Sequence, residues 1–166
     1  MSMPERQSEV AEAARNILEE LLRLMGISAS VTFSSEALAE GEEEATPPIA
    51  LDIEGEDLGI LIGRRGQTLD SLQYIVRLIV GQQTEERLPM IIDVEGYKRQ
   101  RCESLRALAR RMAGQVKVSG ESFALEPMAA FERRVIHLAL ADRPDVTTES
   151  TGLGEARKVV ISLRTG

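Results

Sequence analysis

The stretch Leu58-Gly59-Ile60-Leu61-Ile62-Gly63-Arg64-Arg65-Gly66-Gln67-Thr68-Leu69 decides the fold. A short apolar run leads into a paired-glycine loop, and an amphipathic run follows, so the loop is predicted to open a helix. Glycines let the main chain approach a ligand closely, and a helix N-terminus favours negative charge. The two arginines add forked donors suited to phosphate. The pattern predicts that this loop binds a sugar-phosphate backbone. The alternative is a helix-capping turn that happens to contain arginines.

Outward from this loop, hydrophobic periodicity predicts a first module of helices and strands. Its predicted elements are a helix over residues 4–25, strands over 31–34 and 49–53, a helical turn over 57–62, a helix over 67–80 and a strand over 90–94. Gly81 is expected to cap the helix that follows the loop. The core face of that helix is predicted to carry Leu69, Leu72, Val76 and Ile79. The acidic segment 36–48 is predicted to be a solvated hairpin loop.

A second module is predicted to begin near residue 96. Its expected elements are a long helix over 97–118, a short strand over 123–125, a helix ending near 141, and strands over 146–150 and 158–163. Pro127 suits the first turn of the second of these helices. Residues 151–154, which include two glycines, are predicted to form the turn between the last two strands.

Charge is distributed unevenly along the chain. The net charge of the 166 residues is −7, which by itself argues against a nucleic-acid partner. Residues 1–59 hold 3 Lys/Arg and 14 Asp/Glu, whereas residues 60–166 hold 17 Lys/Arg and 13 Asp/Glu. Because local potential steers a polyanion, the basic surplus that begins at the glycine loop is compatible with a nucleic-acid partner.

Several classes of protein are not expected. No apolar run reaches the ~20 residues needed to span a bilayer, and no signal peptide is visible. The single cysteine, Cys102, cannot form an internal disulfide, so a reducing cytoplasm is predicted. Without a Cys/His cluster or a nucleophile–His–carboxylate set, we expect no metal, no cofactor and no enzymatic activity.

The glycine loop and its context, residues 58–73, resemble the nucleic-acid-binding loop of a KH domain, and the order of elements is similar to the type II arrangement. In that family the loop clamps the backbone of about four nucleotides, whose bases lie in an adjacent apolar groove. Carried over, the resemblance makes Gly63 and Gly66 the points of close approach and Arg64 and Arg65 the phosphate contacts. Ile60 and Ile62 would lie near or under the groove.

A second motif lies on the helix predicted after Pro127. Arg133 and His137 are four residues apart and share one helix face, which could bind phosphate through the guanidinium fork and a ring nitrogen. His137 is the only histidine in the chain, and a lone helical histidine is often simply packed. The surrounding sequence, residues 127–161, resembles an R-three-H domain, a family associated with single-stranded nucleic acid. That resemblance makes Arg133 and His137 phosphate contacts, with Arg157 and Lys158 as helpers.

A KH domain followed directly by an R-three-H domain is the arrangement of the bacterial Jag (KhpB/EloR) family, which the chain resembles over residues 5–163. The resemblance implies an α+β fold, with a type II KH domain over residues 1–95 and a small α/β R-three-H domain, also with a three-stranded sheet, over 96–166. It implies a cytoplasmic RNA-binding regulator linked to cell elongation and envelope growth, with a small single-KH protein as partner. Many members carry an extra N-terminal domain before the KH helix, so functions that depend on that domain are not predicted here.

Basic residues also follow the long helix of the second module. Arg99, Arg106, Arg110 and Lys117 fall within roughly 40° of one another around the helix axis, away from its apolar face. They could carry a nucleic-acid strand, or they could form an ordinary solvated face. With few aromatic residues for stacking, contact through the backbone and an aliphatic groove is the expected mode.

Two further functions remain open from the sequence. The acidic first segment and the sheet surface could serve a protein-interaction adaptor with little affinity for RNA. Single-stranded DNA could be the ligand in place of RNA, since contacts to the 2′-hydroxyl are what distinguish the two.

Overall fold

The computed structural model describes residues 3–34 and 47–164, so the loop predicted over residues 36–48 lies almost wholly outside the described residues. The chain divides into two compact units, Met1–Lys98 and Arg99–Gly166. Each unit has its own apolar core and its own three-stranded sheet. The predicted α+β fold class is confirmed.

The first unit contains the elements that surround the glycine loop. In chain order they are α1 (Met3–Leu24), β1 (Ala29–Phe33), β2 (Ile49–Gly55), α2 (Gly59–Ile62), a 3₁₀ turn (Arg64–Gly66), α3 (Gln67–Thr84) and β3 (Met90–Val94). Strand β2 is central, antiparallel to β1 and parallel to β3. Ile49, Leu51 and Ile53 alternate with half-buried residues along β2, as the period of two requires for a sheet with one packed face. Helices α1 and α3 pack against each other and cover that face.

The expected end of α3 is wrong. Gly81 lies inside the helix, which continues to Thr84 and ends where Glu85 adopts a left-handed backbone with φ 58°. A glycine inside a helix costs only about 1 kcal/mol relative to alanine, and the packing of Val80 outweighs that cost. The core face follows Leu69, Leu72, Val76 and Val80, so Val80 takes the place predicted for Ile79, which is half-buried.

The second unit is built on a long helix whose first two residues, Tyr97 and Lys98, still belong to the first unit. Its elements are α4 (Tyr97–Ser119), β4 (Phe123–Ala124), α5 (Ala130–Leu140), β5 (Val146–Thr151), a 3₁₀ turn (Gly154–Ala156) and β6 (Lys158–Leu163). Strand β6 is central and antiparallel to both β4 and β5, with Ser150 opposite Val159 and Thr148 opposite Ile161. In the core, buried residues on one face of α4 pack with Val159 and Ile161 of the sheet.

Helix α5 begins later than predicted, and Pro127 is not in its first turn. The backbone remains extended after β4, because Leu125 N–H donates to Val159 O at 2.9 Å and Met128 N–H donates to Arg157 O at 3.1 Å. The helix starts only at Ala130, where the buried Glu132 carboxylate accepts from Ala129 N–H at 3.3 Å. The Glu132 carboxylate also accepts from Arg101 Nε at 2.6 Å, which fixes the start of α5 to α4.

The start of α4 is fixed by a buried carboxylate. Asp93, at 6 % exposure, accepts from Val94 N–H at 2.8 Å and from Lys98 N–H at 3.0 Å. Gln73 of α3 accepts from Lys98 Nζ at 2.6 Å and from Ile92 N–H at 3.0 Å. These bonds lie within the first unit and fix its last residue, Lys98, to β3 and α3. Over residues 3–34 and 47–164, no helix is both long and apolar enough to cross a membrane.

Candidate nucleic-acid interface

The glycine loop turns on two residues that must be glycine. Gly63 has φ 71° and ψ −170°, a backbone region open almost only to glycine. A Cβ atom placed there would overlap the side chain of Thr68. Gly66 has φ 77°, and its Cβ would lie 2.8 Å from Cε1 of Tyr97. Gly63 therefore excludes any side chain, on conformation and on space, whereas a side chain at Gly66 would need a left-handed backbone and a shift of the Tyr97 ring.

Between the glycines the chain makes one 3₁₀ turn that carries the two arginines. Arg65 has φ 53° and ψ 31°, a left-handed conformation that costs a non-glycine residue about 1 kcal/mol. Arg64 is exposed, and Arg65 is half-buried with an interaction of its own. A costly conformation at an exposed cationic turn is typical of a functional site.

The main-chain donors of the loop are partly used inside the fold. Gly63 N–H donates to Gly59 O at 3.0 Å, and Gln67 N–H donates to Arg64 O. These two groups are therefore not the anion contacts that the sequence reasoning assigned to the helix N-terminus. The guanidinium groups, with the positive end of the 18-residue helix α3 behind them, are the attractive elements for an anion.

One exposed aliphatic side chain adjoins the loop. Ile60 of α2 is 73 % exposed, while Leu61 beside it is buried in the core. Ile62, predicted to lie at the groove, is half-buried and packs against the first core. The exposed member next to the loop is thus Ile60, with Ile62 packed inward.

In the second unit, Arg133 and His137 lie on one face of α5, and His137 contacts strand β5. His137 Nδ1 is 2.7 Å from Thr148 Oγ1, and Nε2 is 2.9 Å from Ser150 Oγ. Burial lowers the pKa of the His137 imidazole below its usual value, and the charge of Arg133 lowers it further. Arg133 Nη1 donates to Met128 O at 2.9 Å, and the guanidinium carries further N–H donors that a phosphate can accept from.

The two helper residues predicted on β6 are separated. Arg157 precedes the strand, and its Nη1 donates to Gly152 O at 3.3 Å. Side chains alternate along a strand, so Arg157 shares the face of buried Val159, the face that α5 covers, whereas Lys158 is on the opposite face. The alternation therefore places Arg157, and not Lys158, on the sheet face toward α5, the helix that carries Arg133 and His137.

The basic residues of α4 differ in their surroundings. Arg99 and Arg110 are exposed, and Arg106 is half-buried. Lys117 Nζ lies 3.6 Å from the Asp145 carboxylate, which Arg143 also contacts at 2.7 Å. The C-terminal end of the predicted stripe is therefore partly neutralised within the second unit.

Sequence reasoning missed Thr68, Tyr97, Thr148 and Ser150 as site residues. The hydroxyls of Thr148 and Ser150 fall on the same face of β5 as buried Val146, because they follow it at intervals of two. That alternation was a readable signal, whereas nothing in the sequence indicated that Tyr97 would contact Gly66. Among the described residues, no cluster of three or more His, Cys, Asp or Glu is arranged to hold a metal ion.

Comparison with known proteins identifies both units. Residues 14–92 match a family model described as KhpA/KhpB, KH domain, and residues 103–163 match the family model of the R-three-H domain. A protein of Clostridium symbiosum named RNA-binding protein KhpB is 38 % identical over 159 residues, 96 % of this chain and 68 % of that protein. A protein of the same name from Bacillus subtilis is 36 % identical over 72 % of this chain and 59 % of that protein. Another from Lactiplantibacillus plantarum is 35 % identical over 64 % of this chain and 33 % of that protein.

Fold and family models together define a protein in which a KH domain is followed by an R-three-H domain. The GRRG turn lies in the first match and the Arg133–His137 pair in the second. The chain belongs to the KhpB (Jag) family, as its resemblance predicted.

Proposed function

We propose that this protein is a single-stranded RNA-binding regulatory protein that grips the phosphate backbone of RNA and is not an enzyme. The observation that carries the proposal is the GRRG turn, in which two obligatory glycines flank Arg64 and Arg65 at the start of α3. The name RNA-binding protein KhpB, which relatives at 35–38 % identity bear, supports the same function.

We assign the binding to two modules, residues 1–95 and 96–166. In the first, the contacts are Ile62, Gly63, Arg64, Arg65 and Gly66, with exposed Ile60 beside them to meet a base. In the second, we assign the phosphate site to Arg133, His137 and Arg157, while Lys158, on the other face of β6, adds positive charge together with Arg99, Arg106 and Arg110. Two weak sites on one chain raise the apparent affinity, because binding at the first raises the effective concentration of RNA at the second.

The cellular role rests on family membership alone. We propose post-transcriptional regulation linked to cell elongation and envelope growth, in the cytoplasm, with a small single-KH protein as partner. Curated relatives are longer than this chain, which spans 68 %, 59 % and 33 % of three of them. Activities of the whole relatives are therefore part of the proposal.

The direct test reverses charge at the turn. Arg64→Glu with Arg65→Glu should reduce RNA binding at least tenfold in a filter-binding assay, since two charge-assisted contacts become repulsive. Arg77→Glu with Arg87→Glu is the matched control, because both arginines are exposed, lie in the same unit and give the same change in net charge. Equal loss in both double variants, or none in the first, would refute the assignment to the loop.

A protein-interaction adaptor is the second candidate, and one observation favours it. Helix α3 exposes three apolar side chains that lie close together, Tyr74, Ile75 and Leu78, at 55 %, 47 % and 54 %. Purified protein with a low 260/280 absorbance ratio and no salt-sensitive shift with RNA would favour the adaptor. Competition of unlabelled single-stranded DNA against labelled RNA of the same sequence tests the third candidate, DNA binding.

A further inference from the structure

His137 is held by hydroxyl groups through both of its ring nitrogens. Thr148 Oγ1 lies 2.7 Å from Nδ1, and Ser150 Oγ lies 2.9 Å from Nε2. Both hydroxyls belong to β5, two positions apart on the strand face toward α5, and both residues are half-buried. A ring occupied at both nitrogens has no nitrogen left in its plane for a phosphate oxygen.

The number of hydrogens shared among His137, Thr148 and Ser150 decides which hydroxyl can donate a hydrogen bond to a ligand. A neutral imidazole has one N–H and one lone pair, so one hydroxyl accepts from the ring and the other donates to it. The hydroxyl that accepts keeps its own hydrogen and can donate it outward, whereas the hydroxyl that donates to the ring cannot. The lowered pKa of His137 keeps the ring neutral near pH 7, which supports this arrangement.

Two cationic residues belong to the helix and the sheet face that meet at this cluster. Arg133 is one helical turn before His137, with its fork anchored to Met128 O. Arg157 is on the sheet face toward α5, anchored to Gly152 O. A hydroxyl donor combined with two guanidinium groups suits a phosphate oxygen, since the three together can satisfy more of its lone pairs than either arginine alone.

We propose that one of the two hydroxyls, on Thr148 or on Ser150, donates to the RNA phosphate in the second module, and that His137 is a positioning residue that orients it. This inference deepens the proposed function and rests on it. In this module the RNA phosphate is then bound by a serine or threonine hydroxyl together with Arg133 and Arg157. The imidazole of His137 does not contact the phosphate directly.

The test uses the full chain and a fluorescein-labelled single-stranded RNA 15-mer of random sequence. Thr148→Val and Ser150→Ala are compared with Thr147→Val, a matched control on the outer face of the same strand. At least one of the two variants should weaken binding by about tenfold, the value of a hydrogen bond to a charged group. Thr147→Val should bind like wild type, and so should Thr148→Ser, which keeps the hydroxyl.

A double-mutant cycle separates positioning from direct contact. If His137 acts through the hydroxyls, His137→Gln combined with the sensitive hydroxyl variant should be no weaker than the worse single variant. If instead the ring touches phosphate, removing a hydroxyl frees a ring nitrogen, so both hydroxyl variants keep wild-type affinity while His137→Gln loses it. That pattern overturns the inference and leaves the proposed function standing.

Two further outcomes are decisive. If Thr148→Ser binds as poorly as Thr148→Val, while both melt with the wild-type profile, the hydroxyl is irrelevant and the inference fails. If wild-type protein does not bind the 15-mer at all, the proposed function fails, and the inference that rests on it fails as well.

Discussion

The ring of Tyr97 covers Gly66, so closely that a Cβ atom on the glycine would lie 2.8 Å from Cε1. Tyr97 is the first residue of α4, and its side chain packs on the core of the first unit. The second glycine of the loop is therefore held by a residue from the far end of the same unit. The shape of the GRRG turn depends on where α4 begins as well as on the loop itself.

Gly66→Ala should lower the free energy of unfolding of the first unit by about 1–3 kcal/mol, through the left-handed backbone and the displaced ring. Tyrosine fluorescence during urea unfolding measures this unit selectively, because both tyrosines, Tyr74 and Tyr97, belong to it. Gly59→Ala is the control, since a Cβ there has no heavy atom within 4 Å. An equal loss in the control would contradict the role given to the ring.

Arg65→Gly should change stability and binding in opposite directions. Glycine adopts the left-handed conformation of residue 65 without strain, so the free energy of unfolding should rise by up to about 1 kcal/mol. RNA affinity should fall, because one phosphate contact is lost. Filter binding measures the change in RNA affinity, and urea unfolding of the same preparation measures the change in the free energy of unfolding. A variant that is less stable and binds normally would show that the strain at residue 65 serves no binding role.

Much of the fold was predictable because it is local. Alternation along β2 and the apolar periodicity of α3 placed those elements close to their observed positions. The failures came where packing at a distance overrode a local rule. Gly81 does not end α3, because Val80 is buried, and Pro127 does not begin α5, because the chain there bonds to β6 and its flank.

Glu132→Gln should destabilise the second unit by about 1–3 kcal/mol, because it leaves Arg101 without its ion pair at a buried site. Far-UV circular dichroism should show the loss, with tyrosine fluorescence of the first unit unchanged. Glu12→Gln removes a partly exposed ion pair to Arg15, whose partners remain largely hydrated, and should cost less than about 1 kcal/mol. Comparable losses in the two variants would mean that Glu132 does not anchor α5.

The second unit should lose stability in acid partly through Asp145. Its hydrogen bonds with Arg143, and the charges of Arg143 and Lys117, hold the pKa of the carboxyl well below its usual 3.8. A carboxyl group whose pKa is lowered by folding stabilises the fold above pH 3.8, and this contribution is lost as the pH falls below that value. Asp145→Asn should therefore flatten the decline in thermal midpoint between about pH 4 and pH 2. Exposed Asp142→Asn should leave the decline as it is in wild type, and an identical profile in both variants would contradict the account.

The candidate site was predictable in its residue types and not in its contacts. Paired glycines around two arginines, and an arginine four residues before a histidine, are visible in the sequence. Which nitrogen meets which hydroxyl depends on how β5 lies against α5. The separation of Arg157 from Lys158 likewise follows from the register of β6, with Lys158 opposite Thr151.

The salt dependence of RNA binding tests the central claim most directly. Each phosphate contact on a single strand contributes about 0.7 to the slope of log K against log salt concentration. Arg64→Gln with Arg65→Gln should make that slope shallower by about 1.4, while Arg77→Gln with Arg87→Gln should leave it unchanged. An unaltered slope in the loop variant would show that these arginines do not touch the RNA backbone.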